Sequence, residues 1–148
     1  MLIDSLQVLE PSNTALTVTR ASTNHVALDI GGGDWGVGCN LYIDAMVQTA
    51  FTASGSATLV IAVQTDDNTS FSSPTTLYTS PSIAVASMTA GTKLLNAIKL
   101  PRGAEKYVRL NFTVSTGPFT AGTLFAHVTD IEPAVNTAYT SGLNLGYI

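Results

Sequence analysis

YVRLNFTVSTGPFTAGTLFAHVT, residues 107–129, is the stretch on which the fold is decided. Its first part alternates Val108, Leu110, Phe112 and Val114 with Tyr107, Arg109, Asn111 and Thr113, the period-two pattern of a strand with one buried face. Residues 115–122 are rich in Ser, Thr and Gly and contain Gly117-Pro118, so they read as a reversing loop. Alternation then resumes, with Leu124, Ala126 and Val128 on one side and Thr123, Phe125, His127 and Thr129 on the other. The stretch predicts an antiparallel hairpin.

The same alternation recurs upstream. Residues 14–20 place Leu16 and Val18 on one side, and Val26, Leu28 and Ile30 continue as the next strand. After the Gly-rich loop 31–38, residues 41–49 point Leu41, Ile43, Ala45 and Val47 inward and Tyr42, Asp44, Met46 and Gln48 outward. Residues 50–56 read as a connection, and 57–65 as a strand with Leu59, Ile61 and Val63 inward. Because Val60 and Ala62 make that run apolar on both sides, it is expected as a central strand or as a strand under another layer. Shorter strands are expected at 75–79, 83–87 and 92–100, with Pro101-Arg102-Gly103 stopping the last. Many short strands separated by turns, in one domain-sized chain of 148 residues, predict an all-β antiparallel sandwich of the jelly-roll kind over 1–130. From Ile131 the alternation fades but apolar residues persist. Residues 131–148 are therefore expected to form an extended C-terminal tail lying on another surface.

Composition narrows the function. Charged residues make up 11% of the chain, against about 25% in an ordinary domain, so Thr, Ser, Asn and apolar side chains must cover much of the surface. Such a surface suits contact with partners. A net charge of −4 argues against nucleic-acid binding, and the basic residues Lys99, Arg102, Lys106 and Arg109 are expected at strand ends. One cysteine, Cys39, offers no internal disulfide and reads as a small buried residue. No apolar run is long enough to span a bilayer as a helix, and no signal-peptide pattern opens the sequence, so synthesis in a cytoplasm is expected.

Candidate chemistry is sparse. Gly31-Gly32-Gly33-Asp34-Trp35-Gly36 satisfies the letters of a dinucleotide fingerprint but leads into a strand instead of a helix, so no cofactor is expected. Asp66-Asp67-Asn68, with Asp44 or Asp29, offers oxygen ligands for a calcium ion without a recognised loop spacing, and is expected to be a solvated turn. His25 and His127 stand in no catalytic motif, and no enzyme activity is expected. The aromatics Phe51, Phe71, Tyr78 and Phe119 suit either sugar stacking or subunit contacts.

Several pieces, taken in order, resemble the small capsid cement, or decoration, proteins of tailed bacteriophages. They are Leu2-Ile3-Asp4, Ala21-Ser22-Thr23-Asn24, Gly36-Val37-Gly38 before Leu41-Tyr42, and Ala50-Phe51-Thr52-Ala53-Ser54-Gly55. Val63-Gln64-Thr65-Asp66-Asp67, Phe71-Ser72-Ser73-Pro74-Thr75-Thr76-Leu77, Tyr107-Val108-Arg109-Leu110-Asn111-Phe112 and Thr116-Gly117-Pro118-Phe119-Thr120-Ala121-Gly122 continue the likeness. The resemblance implies a jelly roll that forms homo-oligomers, dimers or trimers, and clamps major capsid proteins on the outside of a virion. It implies no catalysis, and the residues themselves give no reason to expect a cofactor, metal, nucleic-acid or membrane partner. Aromatic and Met residues are enriched at buried interface centres, which makes Trp35, Tyr42, Met46, Phe51, Phe119, Phe125, Tyr139, Leu143 and Tyr147 the expected contacts. The rival expectation is a carbohydrate-binding sandwich module of a phage tail or secreted enzyme.

Overall fold

Period-two alternation builds nearly everything in the computed structural model, which describes residues 5–30, 33–34 and 40–130. The first strands are short: β1 (Val8–Glu10), β2 (Arg20–Ala21), β3 (Val26–Ala27), β4 (Asp29–Ile30) and β5 (Gly33–Asp34). Longer strands follow at β6 (Tyr42–Ala53) and β7 (Thr58–Asp66), then β8 (Thr75–Thr79), β9 (Ile83–Ala84), β10 (Lys93–Lys99), β11 (Tyr107–Ser115) and β12 (Phe119–Thr129). One sheet has the order β1-β12-β6-β10. A second has β2-β11-β7-β8, with β3 also on β11 and β9 also on β7; β4 and β5 pair alone.

The pairing is nested. β1 pairs with β12, β2 and β3 with β11, β6 with β10, and β7 with β8 and β9, every pair antiparallel. A chain paired this way is one long hairpin rolled over itself, which is the jelly-roll sandwich. Its interior is filled by the inward stripes of four central strands. Ile43, Ala45 and Val47 of β6 and Leu124, Ala126 and Val128 of β12 join Leu59, Ile61 and Val63 of β7 and Val108, Leu110 and Phe112 of β11. Each large apolar side chain removed from water there contributes about 1.5–3 kcal/mol.

Three expectations are corrected. β11 and β12 do not form a hairpin: β11 pairs with β7 in one sheet and β12 with β6 in the other. The connection is only residues 116–118, with positive φ at Thr116 and Gly117, and it turns the corner between sheets. Phe119–Gly122 belongs to β12 because three register shifts absorb its irregular sequence. Likewise the expected connection at 50–56 is mostly strand, since β6 continues to Ala53. Gly122 has φ of 139°, and a β-carbon there would overlap the Phe51 ring, so the glycine admits that aromatic to the core.

Residues 14–20 are likewise not one strand. Leu16 donates its N–H to the Gly122 carbonyl and Thr17 accepts from the Phe119 N–H, on the β12 side. Two residues on, the Thr19 hydroxyl bonds the Val114 N–H and carbonyl, on the β11 side. The segment crosses between the sheets, which leaves Leu16 buried and Val18 55% exposed.

One buried ion pair closes this crossing. Glu10 on β1 is fully buried and takes Arg20 of β2 in a two-pronged contact, Nη2 to Oε1 at 2.7 Å and Nη1 to Oε2 at 3.1 Å. The Thr23 backbone N–H and hydroxyl donate to the same carboxylate. Removing one partner of such a pair leaves a charge without compensation. Glu10→Ala is expected to lower unfolding stability by about 3 kcal/mol, at the low end for a buried pair because Arg20 keeps some solvent contact. Urea denaturation checks it, and a midpoint unchanged from wild type refutes the stapling role.

Candidate interaction face

The inward residues of β6 and β12 fix what points outward. Opposite Ile43, Ala45 and Val47 stand Tyr42, Asp44 and Met46; opposite Leu124, Ala126 and Val128 stand Phe125, His127 and Thr129. Register then places Phe125 beside Met46, His127 beside Asp44 and Thr129 beside Tyr42. Cross-strand partners of this kind have β-carbons about 4.5–5.5 Å apart. Lys93 on β10 lies beside Met46, and Val8 on β1 beside His127, completing the outer face of the four-stranded sheet.

Its centre is polar and dry. Asp44 is 8% exposed and His127 5%. Lys93 Nζ approaches Asp44 Oδ2 at 3.4 Å, and the Phe125 ring lies 5.4 Å from the imidazole at an interplanar angle of 30°. Asp44 Oδ1 and His127 Nε2 have no hydrogen-bond partner among the described residues. Burial drives the imidazole below its ordinary pKa, Asp44 pulls it up, and Lys93 pushes it down again; the net shift is downward. The half-buried Tyr42, Met46 and Phe125 flank this pair, forming an apolar and aromatic patch around buried polar groups.

Of the expected contact residues, then, Tyr42, Met46 and Phe125 come together on one face. Phe51 and Phe119 do not. They are 5% and 2% exposed and pack edge-to-face at 5.0 Å inside the sandwich, because β6 and the start of β12 carry them inward. Trp35, Cys39, Tyr139, Leu143 and Tyr147 lie outside the described residues. His127, Asp44 and Lys93 are the residues that sequence reasoning did not join. Alternation gives the outward direction of the first two, but only pairing register makes the three neighbours.

The remaining candidates resolve differently. Phe71 is buried under Arg109, whose guanidinium carbon lies 4.2 Å from the ring centroid, so Phe51, Phe71 and Phe119 present no exposed stacking platform. Arg109 accordingly stands within β11, bonding Gln64 through Nε, and not at a strand end. Asp66 and Asp67 gather with Glu105, not with Asp44, which sits in the other sheet paired to Lys93. Asp66 acts as a loop staple. One carboxylate oxygen accepts the Asn68 N–H and side-chain amide, and the other accepts the Ser73 N–H. Burial alone would raise its pKa, but the N–H donors of Ser73 and Asn68 favour the carboxylate and the net shift is downward.

The buried imidazole makes stability depend on pH. Its folded pKa lies below the unfolded value of 6.5, so its contribution is fully present above pH 6.5 and is lost as pH falls through the folded pKa. His127→Gln is therefore expected to lose less stability than wild type between pH 7.5 and pH 5. Thermal melts across that range check it; parallel curves for the two proteins count against a buried neutral imidazole.

No curated protein sequence matches this chain. The profile of the Bbp16 family matches residues 11–128, which include the crossing segment, both central strand pairs and the outward-facing Met46, Phe125 and His127. With most of the sandwich inside that match, the chain belongs to the Bbp16 family.

Proposed function

We propose that the protein is a structural component of a phage virion, made in the host bacterial cytoplasm and bound as a homo-oligomer to the outside of an icosahedral capsid, where it bridges major capsid proteins. The observation that carries this reading is the direct pairing of Met46 with Phe125, flanked by Tyr42, on the outward side of a sandwich assigned to the Bbp16 family. A weakly charged apolar and aromatic patch has the composition of an interface centre. The edges favour face contact over strand addition. β10 is irregular at Ala97, whose φ is 48°, and has lysines at its ends, while a register shift interrupts the pairing of β8. Edges broken by bulges and lysines resist pairing with a further strand.

The mechanism is mass action. A protein that binds assembled shell but not dispersed subunits lowers the free energy of the shell alone, and so opposes expansion by packaged DNA. No bond is made or broken. Purified protein is expected to co-sediment with emptied shells of its phage and to raise their melting temperature. Met46→Asp, which sets a charge in the patch, is expected to weaken retention by an order of magnitude, about 1.4 kcal/mol. No co-sedimentation at saturating protein rejects the reading; wild-type retention of the variant removes this face from it.

A further inference from the structure

We infer that Asp44, His127 and Lys93 form a proton-operated switch on the outer face of the four-stranded sheet, in which a proton taken up by His127 moves the Asp44 carboxylate from Lys93 to the imidazole. The geometry sets it up. His127 and Asp44 are directly opposed on β12 and β6, and each carries a buried polar atom, Nε2 and Oδ1, without a hydrogen-bond partner among the described residues. A neutral imidazole has one donor nitrogen and an imidazolium has two, so protonation guarantees a donor at Nε2 whichever tautomer precedes it. The unfilled acceptor across the strands is Asp44 Oδ1, and opposed β-carbons stand only about 4.5–5.5 Å apart. Rotation of the two side chains about their Cα–Cβ bonds closes that hydrogen bond within the chain.

Lys93 is the weaker holder of Asp44. Its Nζ lies 3.4 Å from Oδ2, longer than a good charge-assisted bond, and its side chain is 40% exposed, so the ammonium returns readily to water. The approach from His127 is buried, where a hydrogen bond to a charged group is stronger. Phe125 adds to it, since its ring lies 5.4 Å from the imidazole and an aromatic ring attracts a cation. The titratable groups around His127 are few among the described residues. β6 turns Asp44 and Tyr42 to this face, and β10 contributes Lys93. β1 places Val8 beside His127 while its Glu10 is engaged by Arg20, and the helical turn Ser5–Gln7 against β12 has no titratable side chain. Burial opposes the proton most, Asp44 favours it and Lys93 opposes it, so uptake falls below pH 6.5. With uptake the face gains one positive charge, and the Lys93 ammonium is freed beside Met46. In the reading above this face holds the shell, so acid loosens the contact; that consequence alone rests on the virion reading.

Double-mutant cycles on the full chain separate the two bonds of Asp44. Asp44→Asn is combined with His127→Gln and, separately, with Lys93→Gln. Folding constants are measured in urea at about pH 7.5 and on the acid side of the imidazole titration, which NMR locates. The Asp44–His127 coupling is expected to rise severalfold in acid and the Asp44–Lys93 coupling to disappear. An Asp44–His127 coupling equal under both conditions, or an Asp44–Lys93 coupling that persists in acid, overturns the switch. Should Asp44→Asn not fold, the wild-type protein decides: a His127 Nε2 proton slow to exchange is expected by NMR in acid, and its absence overturns the switch. On emptied shells, acid is expected to reduce retention severalfold further for wild type than for His127→Gln. Equal losses in the two proteins overturn the link from the proton to the contact. No retention of either at any pH rejects the virion reading and that link with it, while the cycles still decide the switch.

Discussion

Burial of one face of each of four central strands is the constraint from which the rest of the molecule follows. β6 and β12 press Ile43, Ala45, Val47, Leu124, Ala126 and Val128 against the inward residues of β7 and β11. Because a strand alternates, that requirement also dictates which residues are turned out. A slip of one residue in β12 would put His127 into the core and Ala126 on the surface. The register that satisfies the core is therefore the register that assembles the Asp44, His127, Met46 and Phe125 group outside it.

The ends of the sandwich solve a different problem, that of moving the chain between layers without losing backbone hydrogen bonds. At one corner Thr116 and Gly117 adopt positive φ and the chain turns within residues 116–118. At another, residues 14–19 bond first to the start of β12 and then to the end of β11. The Glu10–Arg20 pair fixes the chain beyond that crossing, and its full set of donors is what makes a buried carboxylate tolerable. These devices hold the two layers together where apolar packing runs out.

The outer faces of the two sheets differ in kind. On the six-stranded sheet, Arg109 spans Gln64 and the Phe71 ring, and Asp66 organises the loop at residues 66–73, so polar groups there find partners within the chain. On the four-stranded sheet, Asp44 Oδ1 and His127 Nε2 are left without them. Unpaired polar groups at a dry site are costly to the fold.

The sequence by itself determined the class of fold, the inward stripes of the long strands and the outward direction of Tyr42, Met46 and Phe125, because a period of two is a local property of the chain. It could not show that residues 107–129 feed two different sheets, since a hairpin and a corner between layers share the same alternation and the same Gly-Pro signal. Nor could it show that Phe51 and Phe119 turn inward, which depends on register shifts in β12 and on the space beside Gly122. Only the tertiary structure joined Glu10 to Arg20 and Asp44 to His127 and Lys93. Those contacts depend on strand order and pairing register, which arise from packing the whole sandwich and leave no periodic trace in the residues that make them.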